Sequence, residues 1–287
     1  METKSTGQKI LHFPLTKIII GVLVVAGIVV IGESGIEKIL NHILTDKEIR
    51  NLITGIFVAL LAFFSYKILF RFYEKREITE LSAKGSGRNL ISGILLGAIL
   101  QSLTIFVIYL NGGLSIISIN PLLFLIPPLA MALTSGIFEE ILLRGIIFRI
   151  MQEKLGSYIA LVISALIFGA LHLANPNSSL ITALGISIEA GLLLGAAYIY
   201  SGSLWFPIAI HFAWNFTQSG IFGATVSGIT LDKTLLTTKI QGSVWITGGL
   251  FGPEGSIQTP IFCLVPTIIL LILCHKQNKI IKPYWIK

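Results

Sequence analysis

Long apolar stretches separated by short polar segments make up most of this chain. A membrane-spanning helix needs about 20 mostly apolar residues. The sequence contains eight such stretches, at residues 15–32, 51–70, 90–110, 121–145, 157–174, 180–200, 204–222 and 259–275. This pattern predicts an all-α, polytopic membrane protein with about eight transmembrane helices, which form a single integral membrane domain over residues 1–287.

The fourth apolar stretch continues to about residue 152, which is too long for one upright helix. Because it contains Pro127, Pro128 and Gly136, we expect a kink or a break near these residues. With straight helices, Glu139 would lie toward the inner half of the membrane and His172 near the outer end of its helix. A site that contains both residues therefore requires tilted or broken helices.

The composition narrows the class of protein. Hydrophobic residues make up 54% of the chain, charged residues only 12%, and the mean hydropathy is +0.85. Soluble domains contain about 25% charged residues, so a soluble enzyme, a nucleic-acid-binding protein and a disordered chain are all disfavoured. We interpret the net charge of +7 as the positive-inside bias of a membrane protein, with the lipid bilayer and not nucleic acid as the partner.

The distribution of basic residues predicts the topology. With the N-terminus in the cytoplasm, the segments 71–89 and 223–258 become a solvated cytoplasmic linker and an outer loop. The inner segments then carry 16 of the 21 Lys and Arg residues, namely Lys4, Lys9, Lys17, Lys67, Arg71, Lys75, Arg76, Lys84, Arg88, Arg144, Arg149, Lys154, Lys276, Lys279, Lys282 and Lys287. This bias favours an N-in, C-in arrangement of eight helices.

A few charged residues interrupt the apolar region between residues 89 and 231. Glu139, Glu140 and Arg144 are the only ones between Asn89 and Phe148, and Glu189 is the only one between Leu155 and Leu231. A charge at the centre of a spanning helix costs about 2.5–3.5 kcal/mol on insertion scales. These groups must therefore be paired, hydrated or used, and ionisable residues inside a membrane are candidates for function.

Helical spacing sorts these residues into faces. Glu140 and Arg144 are four residues apart and can form an ion pair, whereas Glu139 lies about 100° round the helix and lacks a local partner. By the same spacing, Phe168 shares a face with His172, and His211 shares a face with Asn215. We expect Glu139, the two histidines and Asn215 to form a joint site.

These residues are compatible with more than one kind of chemistry. A carboxylate and an imidazole can activate water, while a second histidine and an amide can stabilise an oxyanion, as in a peptide hydrolase. Glu139, His172 and His211 also match the ligand set of a catalytic zinc ion. A proton-coupled transporter is a further alternative. The spacing does not decide among them, although an H-E-x-x-H motif is absent.

The order of the motifs resembles the CAAX-protease and bacteriocin-processing family of intramembrane endopeptidases, also called the Abi family. The matching motifs are E-E-x-x-x-R at 139–144, F-x-x-x-H at 168–172 and H-x-x-x-N at 211–215, within a core of residues 120–222. The resemblance implies that Glu139 and His172 activate water and that His211 and Asn215 form the oxyanion site. It also implies supporting roles for Glu140 and Arg144, and we expect Phe168 to serve in packing.

The family resemblance leaves several points open. We favour a reaction without a cofactor, with zinc held by Glu139, His172 and His211 as the alternative. The expected substrates are peptides or lipidated proteins, among them prenylated CAAX-like, leader or pheromone peptides, in a prokaryotic plasma membrane. We expect Glu189 to line a cavity or to pair with Arg144 or a histidine. A non-catalytic scaffold or a bacteriocin-immunity protein of the same fold is the alternative function.

Overall fold

The computed structural model describes residues 6–286 and is mostly helical, at 76%. Lys4 and Lys287, which entered the topology prediction, lie outside the described residues. The α-helices in the described range are α1 (Thr6–Leu11), α2 (Pro14–Ile43), α3 (Lys47–Tyr73), α4 (Ser86–Leu110), α5 (Ile126–Glu140), α6 (Arg149–Leu171), α7 (Leu180–Ile186), α8 (Leu193–Ser201), α9 (Trp205–Asn215), α10 (Val244–Thr247) and α11 (Gln258–Lys276).

A small sheet adds to the helices that the apolar pattern predicts. Strand β1 (Leu114–Ile119) pairs antiparallel with β2 (Leu236–Ile240), with Leu114 opposite Ile240 and a bulge between Ile116 and Ser118. The sheet connects the end of α4 to the long segment 223–258. That segment, expected as an outer loop, is therefore ordered in part by strand pairing and also contains α10.

Six helical stretches are long and apolar enough to cross a membrane, among the residues that the structure describes. One of them, Leu122–Ala174, covers two of the eight predicted helices. The predicted helix at 204–222 corresponds to α9 and the π-helical turns that follow it. The chain is a multi-pass membrane protein, and the number of eight crossings remains a prediction.

The expected kink near Pro127 and Pro128 is wrong. Both prolines lie in the first turn of α5, where the backbone N–H groups have no partner within the helix. A proline at this position therefore removes no hydrogen bond and starts the helix instead of bending it. Gly136 also stays within α5, where an added Cβ would lie 3.1 Å from the backbone nitrogen of Phe212 in α9.

The helical run breaks at Gly156 instead. This glycine has φ 75° and ψ 170°, a conformation that side chains with a Cβ rarely adopt. An added Cβ would also lie 2.7 Å from the backbone nitrogen of Pro283 and 2.8 Å from the carbonyl oxygen of Ile281. The chain turns back here, so that residues 126–155 and 157–171 form a helical hairpin.

Three segments form π-helices, in which the backbone makes wider turns than in an α-helix. Ile141–Phe148 connects α5 to α6, Ser187–Leu192 connects α7 to α8, and Phe216–Ile221 follows α9. π-Helical turns are rare and often occur at functional sites. All three lie in the region where the sequence shows its isolated polar residues.

Close packing of α4 against α9 depends on a G-x-x-x-G pattern at Gly93 and Gly97. A Cβ on Gly93 would lie 2.6 Å from the Cβ of Ala209 and 2.8 Å from the carbonyl oxygen of Phe206, and one on Gly97 would overlap the Ile210 carbonyl. Small residues at this spacing allow membrane helices to approach closely. This contact positions α9, which carries His211 and Asn215.

A network of ion pairs connects one end of the helices. Glu74 contacts Lys17 at 3.0 Å, Arg76 at 2.8 Å and Arg149 at 2.9 Å, and Arg76 contacts Glu80 at 2.6 Å. Glu80 is only 3% exposed, so part of the segment 71–89 is packed against the helices and is not the solvated linker that its charge suggested. The network brings together three segments that the topology predicts to be on the inner side.

The opposite end joins segments that are predicted to be outer. Lys233 contacts Glu48 at the start of α3, and the Asn120 side chain donates to the Thr234 carbonyl at 2.9 Å. Between the two ends, large apolar side chains such as Leu23, Ile31 and Leu95 are exposed on the helix surfaces, as expected where helices face lipid. The two ends therefore group as the alternating topology requires, and the direction of insertion remains a prediction.

We expect the ion-pair network to make the protein less stable in acid. Burial alone would raise the pKa of Glu74 and Glu80, but the neighbouring arginines hold both pKa values below the ordinary 4.5. The stability that these carboxylates contribute is therefore present above about pH 4.5 and is lost as the pH falls through their lowered pKa values. Thermal unfolding in detergent between about pH 7 and pH 3.5 measures this loss.

Glu80→Gln should lower the unfolding temperature at neutral pH and flatten the fall in acid. Glu37→Gln, at an exposed position on α2, is the matched control and should follow the wild type. If the unfolding temperatures of the wild type and Glu80→Gln fall equally between pH 7 and pH 3.5, Glu80 is not responsible for the loss of stability in acid.

Candidate active site

A fully buried carboxylate, that of Glu140, joins α5 to α9. Its Oε1 accepts hydrogen bonds from Arg144 Nη1 at 2.7 Å and from His211 Nδ1 at 3.0 Å. Glu140 is 0% exposed and Arg144 is 2% exposed. The ion pair expected from the four-residue spacing is thus present, and it also orients the imidazole of His211. Because an ionised carboxylate only accepts, His211 Nδ1 carries a proton.

Arg144 extends this cluster to two further helices. Its Nη2 donates to the backbone oxygens of Ala190 at 2.9 Å and Gly191 at 3.2 Å, in the π-helical segment after α7. Its guanidinium lies 4.7 Å from the centre of the Phe168 ring in α6, a cation–π contact. Phe168 therefore packs against the arginine that neutralises Glu140.

Glu139 has surroundings unlike those of its neighbour in sequence. Its side chain is 33% exposed, and its Oε2 lies 4.0 Å from His211 Nε2, beyond hydrogen-bond distance. No Lys or Arg forms an ion pair with it among residues 6–286. The carboxylate expected to lack a local partner is therefore available to a molecule in the site.

His172 directly follows the end of α6 and is half-buried. Its Nδ1 is 2.9 Å from the carbonyl oxygen of Phe168, one helical turn earlier. Since a carbonyl oxygen only accepts, Nδ1 must donate, and the neutral ring then has an acceptor at Nε2. The Phe168 ring lies 4.7 Å from the ring of His172 and 6.2 Å from that of His211, so it contacts both histidines.

Asn215 is held by a serine on α5. Its Nδ2 donates to Ser135 Oγ at 2.9 Å, and that hydroxyl donates to the Met131 carbonyl at 3.0 Å. One amide hydrogen is used in this contact, which leaves the second for another acceptor. Ser135 was not among the candidates, because a serine one turn before Glu139 is common in helices and gives no signal by itself.

These side chains line one cavity of about 180 Å³. Glu139, His172, His211 and Asn215 all contribute to its wall. Apolar residues, among them Met131, Leu193 and Ile210, form much of the remaining lining. Concave sites with a few convergent polar groups in an apolar wall are typical of binding and catalytic sites.

The hairpin at Gly156 explains how His172 and Glu139 reach the same depth. Glu139 precedes Gly156 by 17 residues and His172 follows it by 16, so the two lie at similar distances from the turn. The sequence interpretation ended the helix of Glu139 near residue 145 and thereby placed this residue too close to the inner surface. The continuous run from Ile126 to residue 155 removes the difficulty.

Two further carboxylates line the same cavity. Glu189 is 2% exposed and pairs with neither Arg144 nor a histidine, unlike one of the expectations for it. Glu254, in a short turn before α11, is 3% exposed and was not recognised from the sequence as a site residue. It is the only charged residue between Lys239 and Lys276, so the criterion that identified Glu189 would have found it.

The alternative zinc set does not fit the arrangement of side chains. Over the described range 6–286, no three or more His, Cys, Asp or Glu side chains are grouped so that they could hold a metal ion. His211 Nδ1 is taken by Glu140, and His211 Nε2 is 4.0 Å from Glu139. Glu139, His172 and His211 share a cavity without forming a ligand cluster.

Residues 120–217 match the family model described as type II CAAX prenyl endopeptidase, Rce1-like. This match confirms the resemblance drawn from the three motifs, and residues 120–217 are similar to the CAAX protease family. The matched family implies a hydrolase of the protease class in a membrane. Neither the curated proteins nor the solved structures include a match to the chain.

We expect Arg144→Met to destabilise the protein by about 3–5 kcal/mol, because breaking a buried ion pair leaves an uncompensated charge. The double variant Glu140→Gln, Arg144→Met removes both charges and should recover part of this loss. Free energies of unfolding in a membrane mimetic measure both effects. If the loss of free energy in the double variant equals the sum of the losses in Arg144→Met and Glu140→Gln, the two residues are not coupled.

Proposed function

We propose that this protein is an intramembrane endopeptidase in which Glu139 and His172 activate a water molecule to hydrolyse a peptide bond. The observation that carries this proposal is the shared cavity, which is lined by Glu139, His172, His211 and Asn215. The family match over residues 120–217 supports the reaction class. Hydrolysis within a membrane requires a polar, hydrated cavity among the helices, because water is absent from the lipid core.

Glu139 and His172 have the properties of bases that share a water molecule. The Glu139 carboxylate is free of ion pairs with basic residues in the described part of the chain and is partly exposed. His172 uses Nδ1 as a donor to its own helix, which leaves Nε2 as an acceptor. A water between the two transfers a proton to Glu139 as its oxygen attacks the carbonyl carbon, and the same proton then passes to the amine that leaves.

His211 and Asn215 supply donors for the negative oxygen that forms during attack. Asn215 has an amide hydrogen that its contact with Ser135 does not use. His211 donates through Nδ1 to Glu140, so donation through Nε2 requires a ring that carries both protons. The carboxylates of Glu140 and Glu139, on the two sides of the ring, stabilise that cation. Fixed donors of this kind stabilise a tetrahedral oxyanion.

Glu140, Arg144 and Phe168 support the site without contacting the substrate. Glu140 holds His211, Arg144 neutralises Glu140, and Phe168 packs against Arg144 and both histidine rings. We further propose that the reaction needs no metal ion. The substrates are peptides or lipidated proteins in a prokaryotic plasma membrane, with prenylated CAAX-like, leader and pheromone peptides as the classes to test.

Glu139→Gln and His172→Ala should each lower kcat by at least about 100-fold, because each removes a base. A library of apolar and lipidated peptides, incubated with purified protein and analysed by mass spectrometry, measures cleavage. Glu37→Gln is the matched control and should retain activity.

A chelator should leave cleavage unchanged, whereas loss of cleavage that zinc restores would support a metal centre. Full activity of both variants would contradict the proposed roles, and absence of cleavage by folded wild type would favour a non-catalytic scaffold or immunity protein.

Asn215→Ala should lower kcat by about 100- to 1,000-fold with a smaller effect on KM, because an oxyanion donor acts mainly in the transition state. Steady-state kinetics on a cleaved peptide separate the two constants. Asn111→Ala, at an exposed position at the end of α4, is the matched control. An effect on KM alone would assign Asn215 to substrate binding.

A further inference from the structure

The most unusual group in the cavity that the proposed mechanism does not use is Glu189. It lies in the π-helical segment Ser187–Leu192 and is 2% exposed. Neither carboxylate oxygen has a hydrogen-bond donor among residues 6–286. Burying a carboxylate without a partner is costly, and such groups in folded proteins usually have a reason. The Arg144 guanidinium donates to the neighbouring backbone oxygens of Ala190 and Gly191 and not to this side chain.

A second acidic residue accompanies Glu189. Glu254 is also buried and lines the same cavity as Glu189. Three donors contact the Glu254 carboxylate, namely Trp214 Nε1 at 3.1 Å, the Ser227 backbone N–H at 2.6 Å and Ser227 Oγ at 2.9 Å. Glu254 is therefore held in place in the same cavity as an acidic group that has no counterion.

The charged residues that line the cavity are mostly acidic. Three carboxyl groups, those of Glu139, Glu189 and Glu254, contribute to the lining, whereas no Lys or Arg among the described residues does so and the His211 ring of the proposed mechanism supplies one positive charge. The volume of about 180 Å³ is several times the roughly 30 Å³ that one water molecule occupies. The cavity thus has room for a side chain. A cationic side chain would balance the excess of acidic groups in its lining.

We propose that Glu189 and Glu254 form a subsite for the cationic side chain of a Lys or Arg in the substrate. This inference rests on the proposed peptidase function, because the cation would belong to the peptide that Glu139 and His172 cleave. A carboxylate at the base of a specificity pocket selects basic side chains in other proteases. Glu189 supplies the free acceptor oxygens, and Glu254, whose own donors hold it in place, adds a second carboxyl group to the subsite.

Pairs of peptides that differ only in Lys or norleucine test this subsite. Norleucine has the same unbranched chain without the ammonium group. The probes are apolar peptides in which a single Lys or norleucine is moved along the chain, and cleavage by the wild type gives the ratio of kcat/KM for each pair. At one position we expect Lys to be preferred about 10- to 100-fold, because the ammonium pairs with a buried carboxylate.

The ratio of kcat/KM for the Lys peptide to that for the norleucine peptide should fall toward one in Glu189→Gln, which keeps the shape of the side chain and removes its charge. The ratio should not change in the matched control Glu37→Gln. Equal cleavage of Lys and norleucine peptides by the wild type at every position would overturn the proposal. An unchanged preference in Glu189→Gln would overturn it too. Both results leave the peptidase function intact, since cleavage itself is retained.

A binding measurement decides the question without activity. The Glu139→Gln variant should bind the fluorescently labelled Lys peptide more tightly than its norleucine counterpart, and adding Glu189→Gln should abolish the difference. If the wild type cleaves no peptide but this difference is observed, the subsite stands and the proposed function fails. If the binding affinities of the two peptides are equal, the subsite is wrong whatever the activity, and Glu189 is a buried neutral acid.

Discussion

The buried charge of Glu140 is the constraint on which the arrangement of the site depends. A fully buried carboxylate in a membrane protein must be neutralised where it lies, and here Arg144 and His211 share one of its oxygens. Through these partners the charge fixes the distance between α5 and α9 and the orientation of the His211 ring. Arg144 then engages the backbone of the π-helical segment after α7 and the ring of Phe168 in α6. A single negative charge thus holds four helical elements in register around the cavity.

The π-helical turns make backbone oxygens available to side chains, which an uninterrupted α-helix rarely does. In an uninterrupted α-helix every interior carbonyl is engaged by the N–H four residues later, so few remain for a side chain. The oxygens of Ala190 and Gly191 accept from Arg144 within a π-helical segment, and Glu189 lies in the same segment. The other two segments begin directly after Glu140 and Asn215. Irregular backbone in a membrane is tolerated where protein or a cavity satisfies it, and here it coincides with the polar residues of the site.

Hydropathy predicted the helices well because each helix must individually satisfy the same requirement for apolar length. The isolated charges directed attention to the helices that line the cavity, because a charge inside an apolar helix is expensive wherever it lies. The depth of each residue was harder to predict, since it depends on where a helix turns back. The turn at Gly156 packs against Ile281 and Pro283 from the far end of the sequence, and the Ser157 N–H donates to the Ile281 carbonyl. The isolated charge of Glu254 marks it as a candidate, but its place in the cavity depends on contacts with Trp214 and Ser227, which the sequence does not show.

The adjacent glutamates at 139 and 140 have different surroundings because they lie on different faces of the same helix. A rotation of about 100° points one carboxylate into a cluster with an arginine and a histidine, and points the other into the cavity. Glu139 lies outside this cluster and forms no ion pair with a Lys or Arg in the described chain, as its proposed role as a base requires. The same contrast applies at the other carboxylates, because Glu254 has its own donors and Glu189 has none in the described chain. A cavity with these unbalanced charges favours water and cationic groups over apolar ones, although lipid surrounds the helices that form it. This contrast between the lining and the surface is what hydrolysis inside a bilayer requires.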